Sequence, residues 1–137
     1  MNNEQFKSIF NGLPVLVTGH TGFKGAWLAL WLARLGAKVT GLSLAQNPTE
    51  PCMFDLCGLK SKLSDRRGDI ADFSGVTGVC EACRPVVVCH LAAQAIVAEA
   101  TRDPRRTFET NALGTVNMLE AIRKTASVRA AVMVTTD

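Results

Sequence analysis

The sequence contains no tyrosine at all. Chemistry that needs a tyrosine base therefore cannot be completed by these 137 residues alone. Neither charge sign dominates: 15 basic side chains against 12 acidic ones leave +3, too little to point to a nucleic-acid partner. Two short basic runs, Arg66-Arg67 and Arg102 to Arg106, read as solvated surface. No long apolar run occurs; Ala26 to Ala33 is the longest, far short of the ~20 residues that cross a bilayer. A secretory layout is also missing, since the short apolar run Leu13 to Val17 leads directly into a glycine motif. These absences predict a soluble, cytoplasmic protein with no membrane partner. What remains is ordinary: 47% hydrophobic and 20% charged residues exclude a disordered chain, a collagen and a disulfide miniprotein. The length suits one domain with one sizeable core.

The cysteines, Cys52, Cys57, Cys80, Cys83 and Cys89, are odd in number and fit reduced thiols. Cys80 and Cys83 form a CxxC that could be combined with Cys52 and Cys57 into a four-thiolate zinc site. The first pair has an unusual spacing and the second falls on an expected helix, so no metal site is expected.

The hydrophobic pattern alternates between strands and helices. Met1 to Asn11 reads as a polar lead-in. Val15-Leu16-Val17 after Pro14 reads as a buried strand. Phe23 to Leu35 reads as a helix, apolar almost all round and so predicted to be well buried, with Phe23, Trp27, Leu30 and Trp31 at helical spacing and Gly36 as its cap. Lys38 to Leu44 is a second strand. Gln46 to Lys62 is a connection with a short helix near Met53 to Leu56. Leu63 to Arg67 is a short third strand and Ala71 to Cys83 a weakly patterned helix. Val86 to Leu91 is a continuous apolar strand, Pro104 to Thr125 a long helix, and Val128 to Thr135 another strand. Leu113, Val116, Leu119 and Ile122 line one face of the long helix. Strands apolar on both faces, alternating with helices, predict an α/β fold: a three-layer Rossmann-like parallel sheet of about five strands with helices on both faces.

Between the first strand and helix stands Thr18-Gly19-His20-Thr21-Gly22-Phe23-Lys24-Gly25. Gly19 permits a tight turn, Gly22 lets backbone approach a pyrophosphate, and Gly25 lets helix pack closely on strand. The N–H groups of the first helical turn then face the phosphates, assisted by the helix dipole. The whole chain is thus expected to be an NAD(P)-binding domain. At the end of the second strand Ser43 occupies the place where an acidic residue commonly binds the adenosine ribose. No neighbour of Ser43 in the sequence is an arginine that could hold a 2′-phosphate, so NAD is favoured over NADP.

The GxxGxxG spacing opened by Thr18-Gly19 resembles the extended branch of the short-chain dehydrogenase/reductase superfamily. Further segments match it in order. Gly68-Asp69-Ile70 resembles its adenine-contacting segment, with Asp69 toward the exocyclic amine and Ile70 beside the ring. His90-Leu91-Ala92-Ala93-Gln94 resembles the fourth-strand motif that lines the pyrophosphate and nicotinamide ribose. Asn111 to Thr115 resembles the long-helix motif with its structural asparagine, here Asn111. Gly19 to Gly25, Trp27-Leu28, Trp31-Leu32, Gly41 to Leu44, Ala92-Ala93-Gln94 and Leu119 to Arg123 narrow the resemblance to the CDP-glucose 4,6-dehydratase family.

That resemblance implies a lyase of deoxysugar biosynthesis acting on a nucleotide-sugar substrate beside retained NAD. The sugar is oxidised at C4 with a tyrosine as base, loses water across C5 and C6, and receives the hydride back at C6. It places NAD contacts at Gly19, Thr21, Gly22, Phe23, Lys24, Gly25, Ser43, Asp69, Ile70, Leu91, Ala92, Ala93, Gln94 and Asn111. Thr136 would hydrogen-bond the C4 oxygen and Asp137 would be the acid, making these two the catalytic candidates. The family's Tyr-x-x-x-Lys pair and its sugar-nucleotide region have no counterpart here, so the chain is expected to be an N-terminal, inactive piece of such an enzyme. The full-length enzyme is expected to be a homodimer paired through two long helices, of which Pro104 to Thr125 is the first. A single pairing helix would leave apolar surface exposed.

Overall fold

Pro14 starts β1 (Pro14–Thr18), whose side chains alternate between two cores. Val15 and Val17 face one layer of helices, and Leu16 faces the other. In the computed structural model, which describes residues 3–135, β1 is the middle strand of a five-stranded sheet. Its companions are β2 (Lys38–Ser43), β3 (Ser64–Arg67), β4 (Val87–His90) and β5 (Ala130–Met133). The order is β3-β2-β1-β4-β5 and every pairing is parallel. The expected three-layer α/β architecture is therefore present.

One face carries α1 (Asn3–Phe10) and α2 (Phe23–Arg34); the other carries α4 (Phe73–Cys83) and α7 (Gly114–Lys124). Leu16, Leu42, Val88, Val76 and Met118 are fully enclosed or nearly so on the α4/α7 side. Ala29, Leu32 and Val39 fill the α2 side. A third cluster, Ala26, Leu30, Cys52, Phe54 and Leu59, lies beneath the connection that contains α3 (Met53–Leu56). Cys52 and Cys80 thus sit in separate cores, on the α2 and α4 sides respectively. Among the described residues no helix is long and apolar enough to cross a membrane.

Several expectations need correction. The segment read as a polar lead-in is helical over Asn3–Phe10, because Phe6 and Phe10, four residues apart, give it an apolar face. The Phe6 ring meets Trp31 at 5.4 Å between centroids. Helix α2 is not buried all round: Phe23, Trp27 and Trp31 are 72%, 50% and 44% exposed. The helix turns its small residues, Gly25, Ala26 and Ala29, to the sheet, and the large aromatics are left outside.

The expected helix from Pro104 is helical through to Lys124 but not uniformly α, and a separate short helix precedes it. Val97–Arg102 (α5) and Pro104–Phe108 (α6) are separated at Asp103, which caps α6 by accepting the Arg106 N–H. A π-helical turn at Glu109–Leu113 then joins α6 to α7. On α7, Gly114, Met118 and Ala121 face the core and Ile122 packs against it, while Val116 and Leu119, with Leu113 of the preceding turn, point outward. The strand expected over Val128 to Thr135 is β5, an exposed edge on the described part of the sheet.

Candidate dinucleotide site

The C-terminal ends of β1, β2, β3 and β4 lie side by side, and the glycine loop follows β1. Gly19 adopts φ +74°, and its N–H donates to Leu42 O at 2.8 Å. A Cβ on Gly19 would stand 2.8 Å from Ala92 N, and one on Gly25 would stand 2.0 Å from Gly19 O. Packing within the chain therefore requires both glycines. Gly22 differs: the nearest atom to an added Cβ is Gly19 O at 3.3 Å. Gly22 precedes the first turn of α2, whose N–H groups have no partners within the helix. Gly22 thus sets no Cβ beside those donors. Phe23 and Lys24, on the first turn of α2, are exposed, and Thr21 is buried.

On the β4 side, His90 is buried between β1 and the start of α7. Its Nδ1 lies 2.8 Å from Thr18 Oγ1, and its Nε2 lies 3.4 Å from Thr115 Oγ1. The N–H groups of Leu91 and Ala92 both donate to Thr18 Oγ1 at 3.1 Å. Asn111 clamps the next residues: its Oδ1 accepts the Gln94 N–H at 2.7 Å and its Nδ2 donates to Gln94 O at 3.0 Å. The Gln94 side chain closes its own loop, accepting from Ile96 N–H and donating to Ile96 O. Leu91 to Gln94, including Ala93, is thereby held beside the glycine loop. Burial lowers the pKa of His90, which keeps the ring neutral.

On the β2 side, His20 is completely buried on top of Gly41. A Cβ on Gly41 would lie 2.3 Å from the His20 ring. His20 Nε2 meets Asp65 Oδ1 at 2.8 Å, and Nδ1 meets Ser43 Oγ at 3.0 Å. Ser43 Oγ also accepts the Thr21 N–H at 3.3 Å and is 6% exposed, so this serine supports the glycine loop from within. Burial lowers the His20 pKa despite the Asp65 carboxylate, which pulls it up. Burial works to raise the Asp65 pKa, but hydrogen bonds from Arg67 and His20 hold it below the usual range.

The sequence places Arg67 on solvated surface and sets no arginine beside Ser43. Arg67 is exposed, as expected, but strand pairing brings it beside Ser43. Arg67 is the register partner of Ser43. Its Nε and Nη2 grip Asp65 at 2.9 to 3.1 Å, and Nη1 donates to Leu44 O at 3.0 Å and to Asn47 Oδ1 at 3.1 Å. Pairing of β2 with β3 creates this neighbourhood, and 23 residues of sequence separation conceal it.

Asp69 follows β3. Burial favours its neutral form, yet the Ala71 N–H at 2.9 Å and an ion pair with Arg106 keep it ionised. The Arg106 side chain makes this pair while staying 42% exposed. Ile70 is buried against Gly114, where a Cβ would stand 2.7 Å from Ile70 Cδ1. Thr136 and Asp137 lie outside the described residues.

A parallel sheet with a glycine loop between its central strand and the following helix defines a dinucleotide-binding fold. Within that class the chain belongs to the GDP-mannose 4,6-dehydratase family, whose model matches residues 16–136. It is 40% identical over 131 residues to the CDP-glucose 4,6-dehydratase of Salmonella typhimurium, covering 96% of this chain and 36% of that protein. The Thermus thermophilus UDP-glucose 4-epimerase, solved in complex with NAD, superposes with a TM-score of 0.72 at 35% identity over 85% of this chain and 35% of that one. The Thermotoga maritima UDP-glucose 4-epimerase, solved with UDP-glucose, gives 0.77 at 30% identity over 89% of this chain and 37% of that one. The chain spans about a third of the length of these relatives.

Proposed function

We propose that this chain is the NAD-binding domain of a nucleotide-sugar 4,6-dehydratase, and that the whole protein converts CDP-glucose to its 4-keto-6-deoxy derivative. The observation that carries the cofactor reading is Gly22. Its smallness is demanded less by neighbours than that of Gly19 and Gly25, and it directly precedes the N-terminal turn of α2, whose free N–H groups suit a phosphate. CDP-glucose is favoured as substrate by the 40% identity to the Salmonella enzyme.

NAD would supply a hydride acceptor and donor at the sugar. The chain's own residues bind and orient: Gly19, Thr21, Gly22, Phe23, Lys24 and Gly25 form the phosphate cradle, with Ser43 fixing its backbone. Asp69 and Ile70 border the adenine side; Leu91, Ala92, Ala93 and Gln94, pinned by Asn111, border the nicotinamide side. Thr136 and Asp137 remain the catalytic candidates of the whole enzyme. With no tyrosine among its 137 residues, the chain by itself has no tyrosine base for the oxidation.

Titration of the chain with NAD, followed by calorimetry, tests the domain assignment; absence of saturable binding would overturn it. Incubation with NAD and CDP-glucose tests the rest. The chain alone is expected to form no 4-keto-6-deoxy sugar, and the whole protein is expected to prefer CDP-glucose to GDP-mannose and UDP-glucose. Interconversion of C4 epimers by the whole protein would favour an epimerase instead.

A further inference from the structure

In dinucleotide folds the end of β2 decides between the two nicotinamide cofactors: an acid there binds a ribose 2′-hydroxyl, whereas a nearby arginine accommodates a 2′-phosphate. Here that position combines two features. The residue at the end of β2 is Ser43, whose hydroxyl is engaged with His20 and the Thr21 N–H. Its hydrogen-bonded register neighbour is Arg67, whose guanidinium lies against the backbone of Leu44 and the side chain of Asn47. Given that the cleft holds a dinucleotide, we infer that Arg67 sets the 2′ specificity of this site, so that it accepts NADP nearly as well as NAD.

The donor inventory supports this role. A guanidinium carries five N–H groups. Asp65 takes Nε–H and one hydrogen of Nη2, and Nη1 serves Leu44 O and Asn47 Oδ1. The second hydrogen of Nη2 is left for an acceptor on the side away from Asp65. Asp65 is directed inward, to His20 and Arg67, and so does not replace the missing acid at the end of β2. Asp55, the other carboxylate nearby, receives hydrogen bonds from Asn47 and Cys52. Arg67 is thus the cation paired with Asp65 at this corner. Without it, a 2′-phosphate carrying close to two negative charges would meet that carboxylate uncompensated.

The test is the ratio of Kd values for NAD and NADP, measured by calorimetry on the full chain and its variants. The unaltered chain is expected to bind the two within about tenfold of each other. Arg67→Gln is expected to weaken NADP relative to NAD by tenfold or more, since a charge-assisted phosphate contact is lost. Ser43→Asp, which restores an acid, should move the ratio the same way; Asp65→Asn, which releases Arg67 from its carboxylate, should move it oppositely. Comparing ratios cancels any general loosening of the loop. A preference for NAD clearly above tenfold in the unaltered chain would overturn the inference, as would a ratio indifferent to Arg67→Gln and Asp65→Asn. Failure to bind either dinucleotide would instead overturn the cofactor reading itself, and this inference with it.

Discussion

Thr18 donates its single hydroxyl hydrogen to Nδ1 of His90 across 2.8 Å. The assignment follows by elimination, because the Thr18 oxygen already accepts the Leu91 and Ala92 N–H groups. Nδ1 is therefore the acceptor, and the ring proton sits on Nε2, facing Thr115. Thr115 in turn gives its hydrogen to Asn111 O at 2.6 Å. A directional chain thus joins β1 to the π-helical turn through one neutral imidazole.

Thr18→Val, close in shape, removes the acceptor of the Ala92 N–H and the donor to His90, while the Leu91 N–H keeps the Thr18 carbonyl at 3.2 Å. Orphaned buried polar groups each cost about 1 to 3 kcal/mol, so a loss of about 3 kcal/mol is expected. Urea denaturation checks this. Thr18→Ser keeps the hydroxyl and is expected to lose less than about 1 kcal/mol.

Glycine substitutions are expected to separate folding from binding. Gly25→Ala forces a Cβ to 2.0 Å from Gly19 O and should cost about 2 kcal/mol or more. Gly22→Ala meets nothing nearer than 3.3 Å, so its melting temperature should stay close to that of the parent. Its NAD affinity should nevertheless fall at least tenfold. Equal destabilisation by both substitutions would contradict the separation.

Acid should weaken the fold before carboxylates titrate. Burial lowers the pKa of both His20 and His90 relative to the unfolded chain, where it is near 6.5. Between each lowered value and 6.5 the unfolded chain binds more protons, so stability falls as pH decreases through that window. Above it, stability is level with respect to these groups. Protonating His90 would also set a hydrogen on Nδ1 against the Thr18 hydroxyl. Denaturation midpoints at pH 7.5 and 5 should differ, and His90→Asn should reduce the difference.

Trp27 and Trp31 are the only tryptophans, and both are about half exposed on α2. Acrylamide is expected to quench the fluorescence of the folded chain substantially. A strongly protected signal would mean that another surface covers this face of α2.

The sequence revealed what local pattern controls. Val15 to Val17, apolar on both faces, could only be an interior strand, and Met53–Leu56 was bracketed closely by its surroundings. Gly19 and Gly25 were legible because backbone clashes demand glycine. Orientation was less visible. Trp27 and Trp31 suggested burial by composition, but close approach to the sheet selects the small side of α2. The π-helical turn adds a residue without changing the apolar content, which hides a phase shift of roughly 100° between α6 and α7. The place of Arg67 is not legible in the sequence because its partners, Leu44 and Asn47, meet it only once β2 pairs with β3.

Gly41 and His20 occupy one volume between them, since any side chain at 41 would overlap the imidazole. Positions 20 and 41 therefore behave as a single unit under exchange. A bulkier residue on β2 becomes admissible only alongside a smaller one in the glycine loop. That reciprocal constraint ties the shape of the phosphate turn to a strand position that no phosphate would touch.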